Sequence, residues 1–325
     1  MPWWSDGGRV AISVGDVEAA AGRIEGVVHR TPIVRSRTLD AHAGAEVLLK
    51  AESLQRAGSF KFRGASNRVA LLSDDERRRG VVCGSSGNHG SALALAGRLA
   101  GVAVTVVMPE DASALKRTAV EGYGATVVTH DRYTTRNTEL AASIAGDTGA
   151  VLVPPYDDER IMAGAGTTAL ELVEDAPDLD VFLAPVSGGG LMAGCATVVA
   201  ARCAGARIVG VEPAEADDTR RSLAAGERVE TPVGRTICDG LQTPIPGTLT
   251  WEVNGRLLDE VVTVTDEEVV DAMRYAFERL KLVLEPSGAV TLAALLHRGV
   301  ATGRTGAVLS GGNVAADRFA ELVAP

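Results

Sequence analysis

Apolar residues first take up a helical period at Val17, Ala20, Ile24, Val27 and Val28, with Asp16 standing where an N-cap belongs. The turn Arg30-Thr31-Pro32 stops that helix, and two short strands are expected near 33–35 and 46–50. The loop SLQRAG then leads into SFKFRGA, residues 59–65, and on into an apolar helix over 65–72, with a charged helix at 74–79. From Gly80 a regular alternation begins. Strands at 81–83, 102–107, 126–129 and 151–153 are separated by helices at 91–100, 113–122 and 134–147. A second alternation runs through helix 164–173, strand 181–185, helix 191–202 and strand 207–211. Residues 213–255 are poorly patterned and rich in turn formers, and they read as a surface wrap near a site. Strand 261–264, a long helix 267–281, helix 287–297 and strand 307–309 complete the pattern. Short βα connections with right-handed crossovers turn this pattern into an α/β protein with two open parallel sheets covered by helices. In such folds ligands bind beyond the C-terminal ends of the strands, where all the glycine-rich loops fall.

Length and composition narrow the classes. The 325 residues suggest about two domains. With 46% hydrophobic and 23% charged residues, a full core is expected rather than disorder. The formal net charge of −10 argues against nucleic acid or an acidic membrane as partner, yet leaves room for a small anion at a local site. Cys83, Cys195, Cys203 and Cys238 form no CxxC pair and have no histidine cluster, so neither a zinc site nor a disulfide framework is expected. The start MPWWSDGGRV lacks a signal pattern, and the most apolar region, 92–108, is broken by Arg98 and by glycines. A soluble cytoplasmic protein is the expectation.

Five stretches carry candidate chemistry. Lys61 lies between Phe60 and Phe62, and a lysine held by aromatic neighbours loses charge by desolvation and can condense with an aldehyde. GSSGNHG, residues 84–90, joins a strand end to a helix start, so its N–H groups suit a carboxylate, unless Ser86 or Asn88 is merely a helix cap. SGGGL, residues 187–191, brings three glycines before a helix and allows close approach of a phosphate. It also fits a dinucleotide fingerprint with Glu212 placed 22 residues after Gly190, which keeps a nicotinamide dehydrogenase open as a rival. The acidic loop 212–218 offers oxygen ligands for Mg²⁺, Mn²⁺ or Ca²⁺, or is simply solvated. LSGGN, residues 309–313, is another strand followed by a glycine turn, with Ser310 at the strand end.

In this order SFKFRGA, SSGNHG, SGGGLMAG, VEPAEADD and LSGGN resemble the serine/threonine dehydratase and serine racemase family of fold-type-II pyridoxal phosphate enzymes, over residues 29–313. The resemblance implies a tryptophan synthase β-like fold. A large pyridoxal-phosphate-binding domain of 1–72 and 156–325 would carry a small inserted domain, 73–155, with the active site in the cleft. Lys61 resembles the Schiff-base lysine, with Phe60 packed near the cofactor. Asn88 resembles the residue at the ring hydroxyl, and Gly188, Gly189, Gly190 and Leu191 the phosphate cradle. Gly240 would lie beside the ring, Glu285 near its lower edge, and Ser310 at its nitrogen. Ser86 resembles an acid/base serine opposite the lysine. Ser85, Ser86, Gly87, Asn88 and His89 would hold the substrate carboxylate. Glu212, the Ala216 carbonyl and Asp218 are similar to a divalent-metal site, for Mg²⁺ or Mn²⁺ with Ca²⁺ as a further candidate.

The implied reaction is dehydration and deamination of a β-hydroxy amino acid, most simply L-threonine or L-serine. Ser86 would permit serine racemisation, and Arg136 in YTTRNTE would favour 3-hydroxyaspartate if it pairs with a second carboxylate. Pro155-Tyr156-Asp157 departs from the family's usual crossover. A homodimer is implied. A C-terminal regulatory domain and control by isoleucine are not expected. A pyridoxal-phosphate-binding protein without catalysis is the reading from outside enzymes.

Overall fold

The computed structural model describes residues 11–85, 87–112, 114–131 and 133–324, with backbone alone at 114–116. Their strands are β1 (Ile33–Val34), β2 (Glu46–Ala51), β3 (Val81–Gly84), β4 (Val104–Pro109), β5 (Thr126–His130), β6 (Val151–Leu152), β7 (Val181–Pro185), β8 (Arg207–Pro213), β9 (Glu260–Val264) and β10 (Arg304–Leu309). They form a six-stranded sheet in the order β1-β2-β10-β7-β8-β9 and a four-stranded sheet in the order β5-β4-β3-β6. Every neighbouring pair is parallel except β1 with β2. The expected α/β class with two parallel sheets is what the chain adopts. Strands such as β7, buried at every position, carry the continuous apolar runs of sheets covered on both faces.

Several boundaries differ from the pattern-based reading, each for a local reason. Asp16 is not the N-cap of the first helix. Ser13 is, and Asp16 sits three residues on, accepting from the Ser13 N–H at 2.8 Å while the Ser13 hydroxyl accepts from the Asp16 N–H. That helix ends at Ile24, so Val27 and Val28 follow it and pack against the core of the four-stranded sheet. Lys61 is the first residue of helix Lys61–Ala70 rather than part of a lead-in. The long helix expected over 267–281 is α-helical only over Asp266–Tyr275; a π turn at Ala276–Leu280 closes on Lys281.

The poorly patterned 213–255 stretch holds two helices whose starts are satisfied from elsewhere. Glu212 accepts from the Thr219 and Arg220 N–H groups of helix Asp218–Ala225. Asp157 accepts from the N–H groups of Thr248, Leu249 and Thr250, the first turn of helix Thr248–Leu257. A cap that arrives through tertiary structure leaves no local signature.

Helix Glu159–Asp175 packs directly against both helices that start at the glycine-rich and lysine segments. Contact with helix Lys61–Ala70 is through Gly64 and Gly164. A Cβ on Gly64 would stand 2.8 Å from the Ile161 carbonyl oxygen, and one on Gly164 would stand 2.7 Å from that of Arg63. Contact with helix Gly190–Arg202 is through Gly166 and Gly194, where a Cβ on Gly166 would stand 2.7 Å from the Gly194 carbonyl oxygen. These backbones are too close for any side chain between them.

A buried charge cluster locks the same junction. Arg63 donates to both carboxylate oxygens of Glu52 at 2.8 Å and to Glu171 at 2.7 Å, while Lys50 donates to Glu171 at 2.6 Å and to the Thr31 carbonyl at 2.7 Å. Arg63, Lys50 and Glu52 are fully buried, and the two cations balance the two anions. Such a group specifies geometry more than it adds stability, because desolvation offsets most of the Coulomb gain.

Gly164→Ala is therefore expected to lower stability by about 1–3 kcal/mol through overpacking. Gly22→Ala, in a helix position facing open space, should raise it by up to about 1 kcal/mol. Urea titration of both variants checks the pair; equal effects would contradict the packing.

Candidate active site

The lysine segment is stitched to the loop that follows β10. The Phe60 N–H donates to the Ser310 carbonyl at 3.1 Å, the Gly312 N–H donates to the Gly58 carbonyl at 2.9 Å, and Ser59 pairs with Gly311 in an isolated bridge. Lys61 thereby starts its helix beside the C-terminal end of the six-stranded sheet. Its amine is half-buried, donates to the Pro155 carbonyl at 2.6 Å and lies 5.0 Å from the centre of the Phe60 ring. Burial pushes its pKa down to about 8. An amine at that value is about one-tenth neutral at pH 7, against well under a thousandth for an ordinary lysine, so it can act as nucleophile or base.

The loop after β3 faces it. Helix Asn88–Ala100 has Gly87 as its N-cap and no side-chain cap, which corrects the capping role considered for Asn88. Ser86, the expected acid/base residue, lies outside the described residues. The Ser85 hydroxyl accepts from the Gly87 N–H at 3.2 Å. The Asn88 side chain reaches across to the larger sheet, donating to Glu285 at 2.6 Å and accepting from Asn313 at 2.8 Å. His89 is buried, with Nε2 3.0 Å from the Val153 carbonyl. A carbonyl only accepts, so Nε2 carries the proton. Burial first, then the nearby Lys61, pushes the ring down to about 4, which keeps it neutral.

The glycine loop after β7 is held by its carbonyls. Gly189 has φ +93° and caps helix Gly190–Arg202, a conformation that favours glycine. The Gly188 carbonyl accepts from Thr250 Oγ1 at 2.7 Å, and the Gly189 carbonyl accepts from Asn254 Nδ2 at 3.1 Å. With these carbonyls engaged, the N–H groups at the helix start form an anion-binding end. The Tyr156 ring lies against the loop, where a Cβ on Gly188 would stand 2.5 Å from it. A phosphate needs this bare backbone, and the loop has no space for side chains. Leu191 is buried in the core just behind.

Gly240, Ser287 and Ser310 form a third corner. The Gly240 N–H donates to the Ser287 hydroxyl at 2.9 Å, and the buried Ser310 hydroxyl donates to the Ser287 carbonyl at 3.4 Å. Glu285 is buried beside Gly311, whose bare backbone leaves room for its carboxylate.

The acidic loop is buried. Glu212 and Asp218 are both fully inside, and Ala216 is 2% exposed. Burial, with the Asp218 charge adding to it, pushes Glu212 up to about 8; burial pushes Asp218 up to about 7. Asp218 Oδ2 is buried with no hydrogen-bond partner. Among the described residues no cluster of three or more His, Cys, Asp or Glu side chains suits a metal. A cation there would draw on two carboxylates and a backbone oxygen, and the unsatisfied Asp218 oxygen fits that donor set. The reading of this loop as merely solvated is incorrect, and a Glu212 tied to backbone N–H groups is not free to bind a ribose. Asp218 also connects to the glycine loop, through Thr243 Oγ1 at 3.5 Å and on to the Ser187 hydroxyl at 3.2 Å.

Arg136 stands apart. Its side chain is 81% exposed and lies 3.9 Å from Glu139. The next residue packs on the end of β3, where a Cβ on Gly84 would stand 2.5 Å from the Asn137 carbonyl oxygen.

The residues missed from sequence are those of the crossover and its partners: Pro155 under the lysine, Tyr156 on the glycine loop, and Asp157, Thr250 and Asn254 around it. The unusual Pro-Tyr-Asp triplet was a cue to this, but no spacing rule linked it to a helix 91 residues on.

An amine of lowered pKa, set beside an anion-binding helix start and polar side chains at the ends of parallel strands, is what an aldehyde-bearing phosphate cofactor requires. Residues 24–311 match the family of pyridoxal-phosphate dependent enzymes, and the chain belongs to that family. It is 42% identical over 311 residues to L-threo-3-hydroxyaspartate ammonia-lyase of Saccharomyces cerevisiae, covering 95% of both chains. It is 40% identical over 307 residues to L-threonine ammonia-lyase of Thermotoga maritima, covering 93% of this chain and 76% of that one. Among solved structures, maize serine racemase superposes with a TM-score of 0.92 at 39% identity, covering 96% of each chain. The dehydrogenase rival is thereby set aside. No helix among the described residues is long and apolar enough to cross a membrane.

Partial burial of the Lys61 ammonium penalises the folded state. Because its folded pKa is depressed, that penalty is fully present below about pH 8 and fades as pH rises from there towards the ordinary lysine value of 10.5. Without cofactor, Lys61→Met is expected to be more stable than the parent at pH 7 by roughly 1–3 kcal/mol. The gain should shrink by pH 10, as read from urea midpoints; a gain independent of pH would contradict the lowered pKa.

Proposed function

We propose that this chain is a pyridoxal-phosphate-dependent lyase that dehydrates and deaminates a β-hydroxy amino acid, L-threonine or L-serine in the simplest case, to a 2-oxo acid and ammonia. The observation that carries this reading is the Lys61 amine, half-buried and held at 2.6 Å by the Pro155 carbonyl with its pKa near 8. When bound, pyridoxal phosphate supplies an aldehyde for the substrate amine and a conjugated ring that spreads charge from the α-carbon. Lys61 then takes the substrate's α-proton as general base. Gly188, Gly189, Gly190 and Leu191 would form the phosphate cradle, with the Gly189 N–H itself donating to the Val186 carbonyl at 3.0 Å to shape the turn, and Phe60 and Gly240 would border the ring. Asn88 would donate to the ring hydroxyl, with Glu285 beside it. The Ser310 hydroxyl would be the neutral partner of the ring nitrogen, and a hydroxyl there would leave the ring a weaker electron sink than a carboxylate would, which suits loss of a β-hydroxyl.

The loop of Ser85, Gly87, Asn88 and His89 holds the substrate carboxylate at a helix start. Ser86 is the residue we assign as acid or base partner to Lys61, which would give serine racemisation as a side activity. In this reading residues 73–155 act as the small domain and 1–72 with 156–325 as the large one, with the cleft between them; the support is that β3 to β6 form their own sheet. A cytoplasmic homodimer is part of the same family-based reading.

A divalent cation, Mg²⁺ or Mn²⁺ before Ca²⁺, is assigned to Glu212, the Ala216 carbonyl and Asp218. It would neutralise two buried carboxylates and satisfy the unpartnered Asp218 oxygen. Chelator treatment is expected to lower both melting temperature and activity, with Mg²⁺ restoring both. Unchanged values would remove the cation.

The similarity to L-threo-3-hydroxyaspartate ammonia-lyase favours a second substrate reading, 3-hydroxyaspartate, with Arg136 as the candidate partner for its second carboxylate. The Arg136 guanidinium is largely exposed, one residue from the backbone that packs on the β3 end. A panel of L- and D-serine, L- and D-threonine and the 3-hydroxyaspartates tests both readings by 2-oxo acid formed. Pyruvate or 2-oxobutyrate supports the simplest case. If oxaloacetate from a hydroxyaspartate dominates, Arg136→Ala should lower kcat/KM for it about 10–100-fold and spare L-serine. No 2-oxo acid from any of them would sink the lyase reading.

A further inference from the structure

Asn313 closes the LSGGN stretch, and the roles assigned above leave it unused. Its amide Nδ2 is 2.7 Å from the Ala57 carbonyl oxygen and 2.8 Å from Asn88 Oδ1. A backbone carbonyl has no proton to give, so the Asn313 atom facing Ala57 must be the NH₂ group. That same nitrogen has only hydrogens to offer Asn88, so the Asn88 atom facing it must be the carbonyl oxygen. The Asn88 NH₂ is thereby turned the other way, where one hydrogen goes to Glu285 Oε1 at 2.6 Å and the second makes no hydrogen bond among the described residues. A free carboxamide can present either end; this one cannot.

We infer that Asn313 is a positioning residue that fixes the amide of Asn88 so that it presents an N–H donor, not a carbonyl, to the bound cofactor. The inference rests on the assignment of Asn88 to the ring hydroxyl. Three separate segments set the orientation: the Ala57 turn before Lys61, the loop after β10, and Glu285 at the start of helix Pro286–His297. Asn88 itself comes from the loop after β3, in the other sheet. The donor that meets the cofactor from the smaller sheet is therefore oriented by the larger one.

The test is a double-mutant cycle on the full-length holoenzyme with Asn88→Ala, Asn313→Ala and the double variant, plus the isosteric Asn313→Asp, which can donate to neither partner. The readouts are the pH midpoint of the bound cofactor's visible absorbance, its dissociation constant for pyridoxal phosphate, and the melting temperature. Expected are a midpoint shift of about half a pH unit or more and about tenfold weaker cofactor binding in Asn88→Ala and in both Asn313 variants. The double variant should be no worse than Asn88→Ala alone. Additive effects would overturn the inference. So would Asn313 variants that melt lower but keep the parent midpoint and affinity, because that is a structural tie only. If Asn88→Ala itself changes neither readout while cofactor binds, the placement of Asn88 is wrong and the inference falls with it. A shift in Asn88→Ala that neither Asn313 variant reproduces overturns the inference alone.

Discussion

The constraint on which the site depends is backbone against backbone. Helix Glu159–Asp175 meets the lysine helix at Gly64 and Gly164 and the glycine-loop helix at Gly166 and Gly194, with no side chain between. A helix starts at each functional segment, so clamping both helices on a third fixes the distance between the amine and the anion-binding loop. The buried cluster of Arg63, Glu52, Glu171 and Lys50 sets the rotation of that junction. Arg63 is only two residues beyond Lys61, so the cluster bears directly on the direction of the amine. Preorganisation of this kind is built from rigid elements, not from the loops themselves.

The second organising piece is the short crossover from the smaller sheet back to the larger. The Val153 carbonyl accepts a hydrogen bond from neutral His89, the Pro155 carbonyl accepts one from Lys61, Tyr156 covers the glycine loop, and Asp157 caps the helix whose Thr250 and Asn254 hold that loop's carbonyls. Four residues within a five-residue stretch thus touch most of the groups that the chemistry needs. Asn313, Asn88 and Glu285 form a further tie between the sheets.

Much of this was legible from the chain alone, because the chemistry is concentrated in short stretches at strand ends. SFKFRGA, GSSGNHG and SGGGL each combine a strand exit, small residues and a helix start, and that pattern is local. The alternation of apolar runs likewise marked most strands to within a few residues. What escaped was set by distant partners. Helices Asp218–Ala225 and Thr248–Leu257 have weak patterns and take their caps from Glu212 and Asp157. Asp16 was misplaced because the first helix carries a reciprocal Ser13–Asp16 pair, and either member alone resembles a cap. The acidic loop left open whether its carboxylates are solvated or inside, and the folded chain buries both Glu212 and Asp218 where β8 pairs with β9.

The central claim is that one amine, Lys61, carries the chemistry. The chain has four lysines, Lys50, Lys61, Lys116 and Lys281. Lys50 is buried in an ion pair, and Lys281 donates to the Glu278 carbonyl at the surface. Borohydride reduction of the holoenzyme, digestion and mass spectrometry would locate the lysine joined to the cofactor. The account predicts the added mass on the Lys61 peptide alone. Its appearance on any other lysine, or on none while the protein still binds pyridoxal phosphate, would contradict it.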